Sequence, residues 1–151
     1  RYKEVLGTIG ALGREAPNHT IPLLCNLLEG RLSRLHGQIQ RLVQSGSLNI
    51  DKVLGDLYED IHWILLVSGN VLTMDTDGET ALIPTEIMRY SLDKANEVNI
   101  ETSLRVLASP GEPSASIPGH ESTDPVVKLA AAVLRLSEIG IKTQFYAFYP
   151  S

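Results

Sequence analysis

Apolar residues recur along this chain at steps of three and four, and nowhere in a sustained alternation of period two. Tyr2, Val5, Leu6, Ile9 and Leu12 predict one face of a first helix, bracketed at its end by Gly13 and Pro17. A second helix is predicted from Thr20, taken as its N-cap, with Pro22 close to the first turn. Leu24, Leu27, Leu28, Leu32, Leu35, Ile39 and Leu42 form its stripe, with Arg31, Arg34 and Arg41 off it, and Ser45-Gly46-Ser47 closes it. A third helix starts after Asn49, repeats apolar residues at Leu54, Leu57, Ile61, Ile64 and Leu65, and fades near Thr73.

The second half of the chain is more broken. Asp75-Thr76-Asp77-Gly78 reads as a turn. Pro84 opens a shorter helix with Ile87, Met88 and Tyr90 facing inward, and Asn99 caps another carrying Ile100, Leu104 and Leu107. Residues 109–124, rich in Ser, Pro and Gly, predict an exposed loop. Asp124 as N-cap and Pro125 at the first helical position start a last stripe of Val126, Leu129, Ala130, Val133 and Leu136. Helices in hairpin-like pairs, one pair per ~40–47 residues, predict an all-α fold, an α-solenoid of HEAT type. A compact helical bundle is the alternative on pattern alone.

Composition narrows this only a little. The 151 residues fit one domain, and 43% hydrophobic content is enough for a packed core. Cys25 is the single cysteine, so no internal disulfide forms and a reducing cytosolic or nuclear setting fits. No apolar run approaches the roughly 20 residues a membrane span needs. The chain opens at Arg1 in what reads as mid-helix, which predicts a piece of a longer polypeptide.

Charge changes the picture more. Residues 51–101 hold eleven acids against three bases, while the first fifty residues carry a net of +3 and the last fifty are balanced. A field concentrated in this way acts on partners; it favours a basic ligand or protein and disfavours nucleic acid. Within it, Asp56, Glu59 and Asp60 gather on the third helix, where 56 and 60 are a like-charged i,i+4 pair that gives the helix nothing. They are either a carboxylate cluster that binds an ammonium or guanidinium group, with Asp75, Asp77 and Glu79 as second-rank candidates, or, as charge runs more often are, a solvated helix face. Tyr58 and Trp63 are candidate walls for the aliphatic stem of a long cation, although packing between helices is the stronger expectation for Trp63.

Other motifs carry less. Glu59 and His62 form one Glu-x-x-His, half of what a helical metal site requires, and His62 is expected to be partly buried and hydrogen-bonded. The acidic turn lacks the bidentate Glu of a calcium loop, since that position is Pro84. Gly7, Gly10 and Gly13 follow no strand and make no phosphate cradle, and Asn18-His19-Thr20 is a sequon at a helix start. Cys25 is expected to be a buried small hydrophobe. No nucleophile motif or cofactor-binding signature is present, so no cofactor, metal or enzymatic activity is expected.

Several longer blocks carry a resemblance. They are Leu57-Tyr58-Glu59-Asp60-Ile61-His62-Trp63, Gly78-Glu79-Thr80, Leu82-Ile83-Pro84, Glu86-Ile87-Met88, Leu107-Ala108-Ser109-Pro110-Gly111-Glu112 and Ala132-Val133-Leu134-Arg135-Leu136-Ser137-Glu138, with Leu32-Ser33-Arg34-Leu35-His36-Gly37-Gln38 upstream. From about Leu12 to Glu138 the chain resembles nuclear transport receptors of the karyopherin-β (importin-β) superfamily. The resemblance implies a HEAT superhelix that shuttles between nucleus and cytoplasm, binding Ran-GTP, nucleoporins and protein cargo, without nucleic acid and without membrane insertion. It further implies a basic cargo such as the hypusine-containing translation factor, and Smad or Sox proteins. Residues 1–138 are then a HEAT segment, and 139–151, crowded with Phe and Tyr, a divergent tail. A helical-repeat scaffold or truncated isoform that only binds partner proteins is the competing reading.

Overall fold

The computed structural model describes residues 2–46, 50–74, 78, 80 and 82–148. They form six α-helices: α1 (Tyr2–Glu15), α2 (Pro17–Ser45), α3 (Ile50–Leu72), α4 (Thr85–Asp93), α5 (Ile100–Ala108) and α6 (Pro125–Phe148). Among the described residues there is no strand, only an isolated antiparallel bridge between Met74 and Leu82. The fold is all-α, in keeping with a helical-repeat segment.

The helices are not three successive hairpins. Gly10 lies against Asn70, Gly13 against Val71 and Tyr2 against Trp63, so α1 runs beside α3 in the same direction. On the other side of α3 lies α2, joined to it as an antiparallel hairpin across Gly46, whose φ of 67° closes α2 in the left-handed region. The first turn of α6 flanks Pro22, Cys25 and Asn26 of α2, and Ala132 and Arg135 flank Glu29, so these two helices also share a direction. The start of α5 is tied to the start of α6: the Asn99 N–H donates to the Ser122 carbonyl oxygen at 2.7 Å, and the Asp124 N–H to Ser103 Oγ at 3.0 Å. The result is one layer of α1 and α3 and a second, oppositely directed layer of α2 and α6, with α4 against α1, α2 and α6, and α5 against α6. Parallel stacking of like helices in two layers is how helical repeats build a continuous core.

That core is centred on α2. Ile21, Leu28 and Leu32 are fully buried, with Leu24, Leu35 and Ile39 close to it, against Leu54 and Ile61 of α3 and Leu129 of α6. Each such Leu or Ile stabilises the fold by about 1.5–3 kcal/mol relative to an exposed position. The predicted stripes of α2 and α3 point where expected; in α6 Leu129 does, while Val126, Ala130, Val133 and Leu136 are half-buried and the buried line runs through Leu129, Ala132, Arg135 and Ile139.

Four expectations are corrected. First, α2 begins at Pro17, not after Thr20: Ala16 occupies the cap position, and Thr20 Oγ1 bonds back to the Ala16 carbonyl oxygen at 3.1 Å. Pro17 is itself the residue suited to a first helical turn, so the chain turns in a single residue. Second, α1 presents Tyr2, Val5, Ile9 and Leu12 to solvent and buries Leu6 and Gly10, because its small face is the one that approaches α3 closely. Third, Met88, Ile100 and Leu104 are exposed, while α5 buries Ser103 and Val106. The cap at Asn99 and the Ser103–Asp124 hydrogen bond fix that rotation. Fourth, residues 109–124 are not a free loop. Ser114, Ile117 and Thr123 are buried, and Ile117 packs with Val106 and Ala131 in a small satellite core, so the segment is a strap. The helix α6 also runs through Glu138 into the aromatic-rich tail with no break as far as Phe148.

Candidate functional site

The three leading acids do occupy one helix, but they diverge. Burial of Leu54, Leu57 and Ile61 sets the rotation of α3, and the same 3.6-residue period sends Asp56, Glu59 and Asp60 to solvent. Asp60 leans towards α2, with Oδ2 4.0 Å from Arg31 Nε. Glu59 leans towards α1: its Oε1 accepts a hydrogen bond from Trp63 Nε1 at 2.8 Å. The Trp63 ring meets Tyr2 edge-on at 5.7 Å and His62 at 5.9 Å.

Two expectations change here. Trp63 is 38% exposed, not packed in the core, and His62 is exposed, not partly buried. Both lie on the side of α3 turned away from Leu57 and Ile61. Tyr58 is also partly exposed, on the opposite flank of α3 from Asp60. The arrangement is an exposed acidic face bordered by aromatic rings. Asp75, Asp77 and Glu79 lie outside the described residues.

Three cavities lie elsewhere. A cleft of about 300 Å³ between α4 and the start of α6 is lined by Ile83, Ile87, Met88, Leu92 and Val126, and is almost wholly apolar. A second, of about 180 Å³, lies between α2 and the start of α6, beside Cys25, Asn26, His120 and Lys128. Burial pushes the Cys25 thiol up to about 12, with Glu29 adding to the effect and Lys128 opposing it. The thiol is therefore neutral and inert at neutral pH, in line with a small core residue. The third, about 10 Å³, has room for one water and lies where the strap crosses α2 and α6, among Glu29, Ser109, Ser114 and Arg135.

That last place was not visible as a site in the sequence. Glu29 Oε1 accepts a hydrogen bond from Ser114 Oγ, holding the strap to α2. Arg135 is 8% exposed, and its Nε has no hydrogen-bond partner among the described residues. Burial lowers the guanidinium's pKa and Glu29 works against that shift. One signal was available. Leu129, Ala132, Arg135 and Ile139 follow each other at steps of three, three and four, so the buried stripe of α6 passes through an arginine.

Among the described residues no group of three His, Cys, Asp or Glu side chains could hold a metal ion. No described helix is long and apolar enough to cross a membrane. No family model matches the chain.

Proposed function

We propose that this chain is a segment of a nuclear transport receptor of the karyopherin-β superfamily, similar to the middle of exportin 4, and that it acts by binding rather than by catalysis. The sequence blocks quoted above support the family reading. The two-layer helical stack suits a piece of a superhelix, and the apolar side chains of α1 and α5 exposed at opposite ends of the stack suit helices that pack on further repeats. In this reading the whole receptor engages Ran-GTP and nucleoporins and shuttles between nucleus and cytoplasm, with the hypusine-containing translation factor as basic cargo and Smad or Sox proteins as others.

The observation that carries the cargo proposal is the exposure of Asp56, Glu59 and Asp60 within two turns of α3. Accessible carboxylates of one sign steer a basic partner and set its register. The test is the double change Glu59→Lys with Asp60→Lys in the full receptor, with affinity for hypusine-bearing cargo followed against salt. A loss of tenfold or more, shrinking as salt rises, is expected. Unchanged affinity would remove this face from cargo recognition. A partner-binding scaffold would then be the better reading, and the engagement of Glu59 by Trp63 and of Asp60 by Arg31 already favours it as the alternative.

A further inference from the structure

A buried polar atom without a hydrogen-bond partner is costly. Arg135 carries one in its Nε. It is 8% exposed, its Nε has no acceptor, and it forms no ion pair among the described residues. Glu29 is near enough to favour its charge, but that carboxylate is engaged by Ser114. The same small cavity is lined by Ser109, which caps the C-terminus of α5. Ser109 is followed by Pro110, and this is the only Ser-Pro or Thr-Pro step in the sequence. Ser109 is half-buried, and the next three residues after Pro110 are exposed, so the segment is accessible to a modifying enzyme.

We propose that Ser109 is a phosphorylation site for a proline-directed protein kinase and that its phosphate is received by the buried guanidinium of Arg135. Ser109 Oγ attacks the γ-phosphorus of ATP, the bond to the ADP oxygen breaks, and the hydroxyl proton passes to the kinase's base. The product carries a charge of about −1.5 to −2 and three strong acceptor oxygens. A phosphate pairs with a guanidinium through short, charge-assisted bonds, often two at once. Glu29 and Glu112 also border the cavity, and their repulsion raises the requirement for Arg135.

The position makes the sign of the effect diagnostic. Ser109 sits at the negative end of the α5 dipole, where a phosphate by itself loosens the last turn. Pairing with Arg135 reverses this and clamps α5 and the strap onto α6.

The test uses the full-length chain, treated with a proline-directed kinase and magnesium ATP, mapped by mass spectrometry and compared by hydrogen exchange. Phosphate on Ser109, absent from Ser109→Ala, with at least threefold slower exchange across 104–117, is expected. In Arg135→Gln the same phosphate should speed exchange there, and Arg135→Lys should restore part of the slowing. Exchange at 54–61 serves as the control that each variant is folded. No phosphate on Ser109, or the same change in exchange with and without Arg135, would overturn the proposal.

Discussion

Gly10 of α1 lies so close to Asn70 of α3 that a Cβ on it would stand 2.3 Å from the Asn70 carbonyl oxygen. The same oxygen accepts a hydrogen bond from Arg14 Nη1 at 2.6 Å, one turn further along α1. The glycine brings the two backbones together, and the arginine occupies the carbonyl's free lone pair. Gly10→Ala is therefore expected to destabilise the protein by about 1–3 kcal/mol, because backbone rather than a flexible side chain blocks the methyl group. Gly7 is the control, since a methyl group placed there would meet nothing within 4 Å. Gly7→Ala should stabilise by about 0.5–1 kcal/mol through helix propensity. Urea unfolding followed by circular dichroism measures both, and equal effects would show that the close approach is absent.

Asp124 holds the start of α6. Its Oδ1 accepts from the Val126 N–H at 2.8 Å, and its Oδ2 from Ser91 Oγ of α4. Asp124→Ala is expected to cost about 1–2 kcal/mol, the upper end of a cap loss, since two elements lose their anchor. Asp124→Asn should cost less than half of that because its amide oxygen still caps. A loss as large for Asn as for Ala would mean that charge, not the cap, matters here.

Cys25 makes a pH prediction. Its thiol is protonated in the folded protein up to about 12, against an ordinary value of 9.0. The folded state thus holds its proton more tightly than the unfolded state does. The stabilisation is complete below pH 9.0 and is lost as pH rises from there towards 12, by about 1.4 kcal/mol per pH unit. At pH 8, alkylation should proceed no faster than opening of the α2–α6 contact. Reaction at the rate of a free thiol in native protein would contradict this.

Stability and binding separate on α3. The Arg31–Asp60 pair is solvent-facing on the Asp60 side at 4.0 Å, so Asp60→Ala should cost less than about 1 kcal/mol. Glu59→Gln keeps an acceptor for Trp63 and should leave the melting temperature and the tryptophan emission maximum nearly unchanged. A large cooperative loss in either variant would assign these acids to the fold rather than to a partner.

Much of this was legible beforehand, and the reasons differ by element. In α2 and α3 the burying surface is wide and made mostly of Leu and Ile, so the three-four repeat fixed the inward face from Leu24 to Ile39 and from Leu54 to Ile61. The caps at Asn99 and Asp124 were legible because a short polar side chain before a helical stripe has one dominant use. In α1 the same repeat pointed the wrong way: Tyr2, Val5 and Leu12 are the larger apolar residues, yet the packing side is set by Gly10 and Gly13. Of the candidate site, the helix and the shared exposure of Asp56, Glu59 and Asp60 were readable. The Asp60–Arg31 pair was not, because Arg31 comes from a different helix; the Glu59–Trp63 bond is an i,i+4 contact within α3.

The sequence by itself determined the helical class, the core stripes of α2 and α3, the caps at Asn99 and Asp124 and the acidic middle, since these rest on interactions within one or two turns of chain. The tertiary structure alone decided that α1 lies beside α3 and α2 beside α6, that residues 109–124 form a strap, and that Arg135 is buried near Glu29 and Ser109. Those outcomes depend on which surfaces can approach closely, and that is a property of two distant segments at once. A glycine that admits a carbonyl, or an arginine enclosed by a strap twenty residues away, has no local signature from which its environment follows.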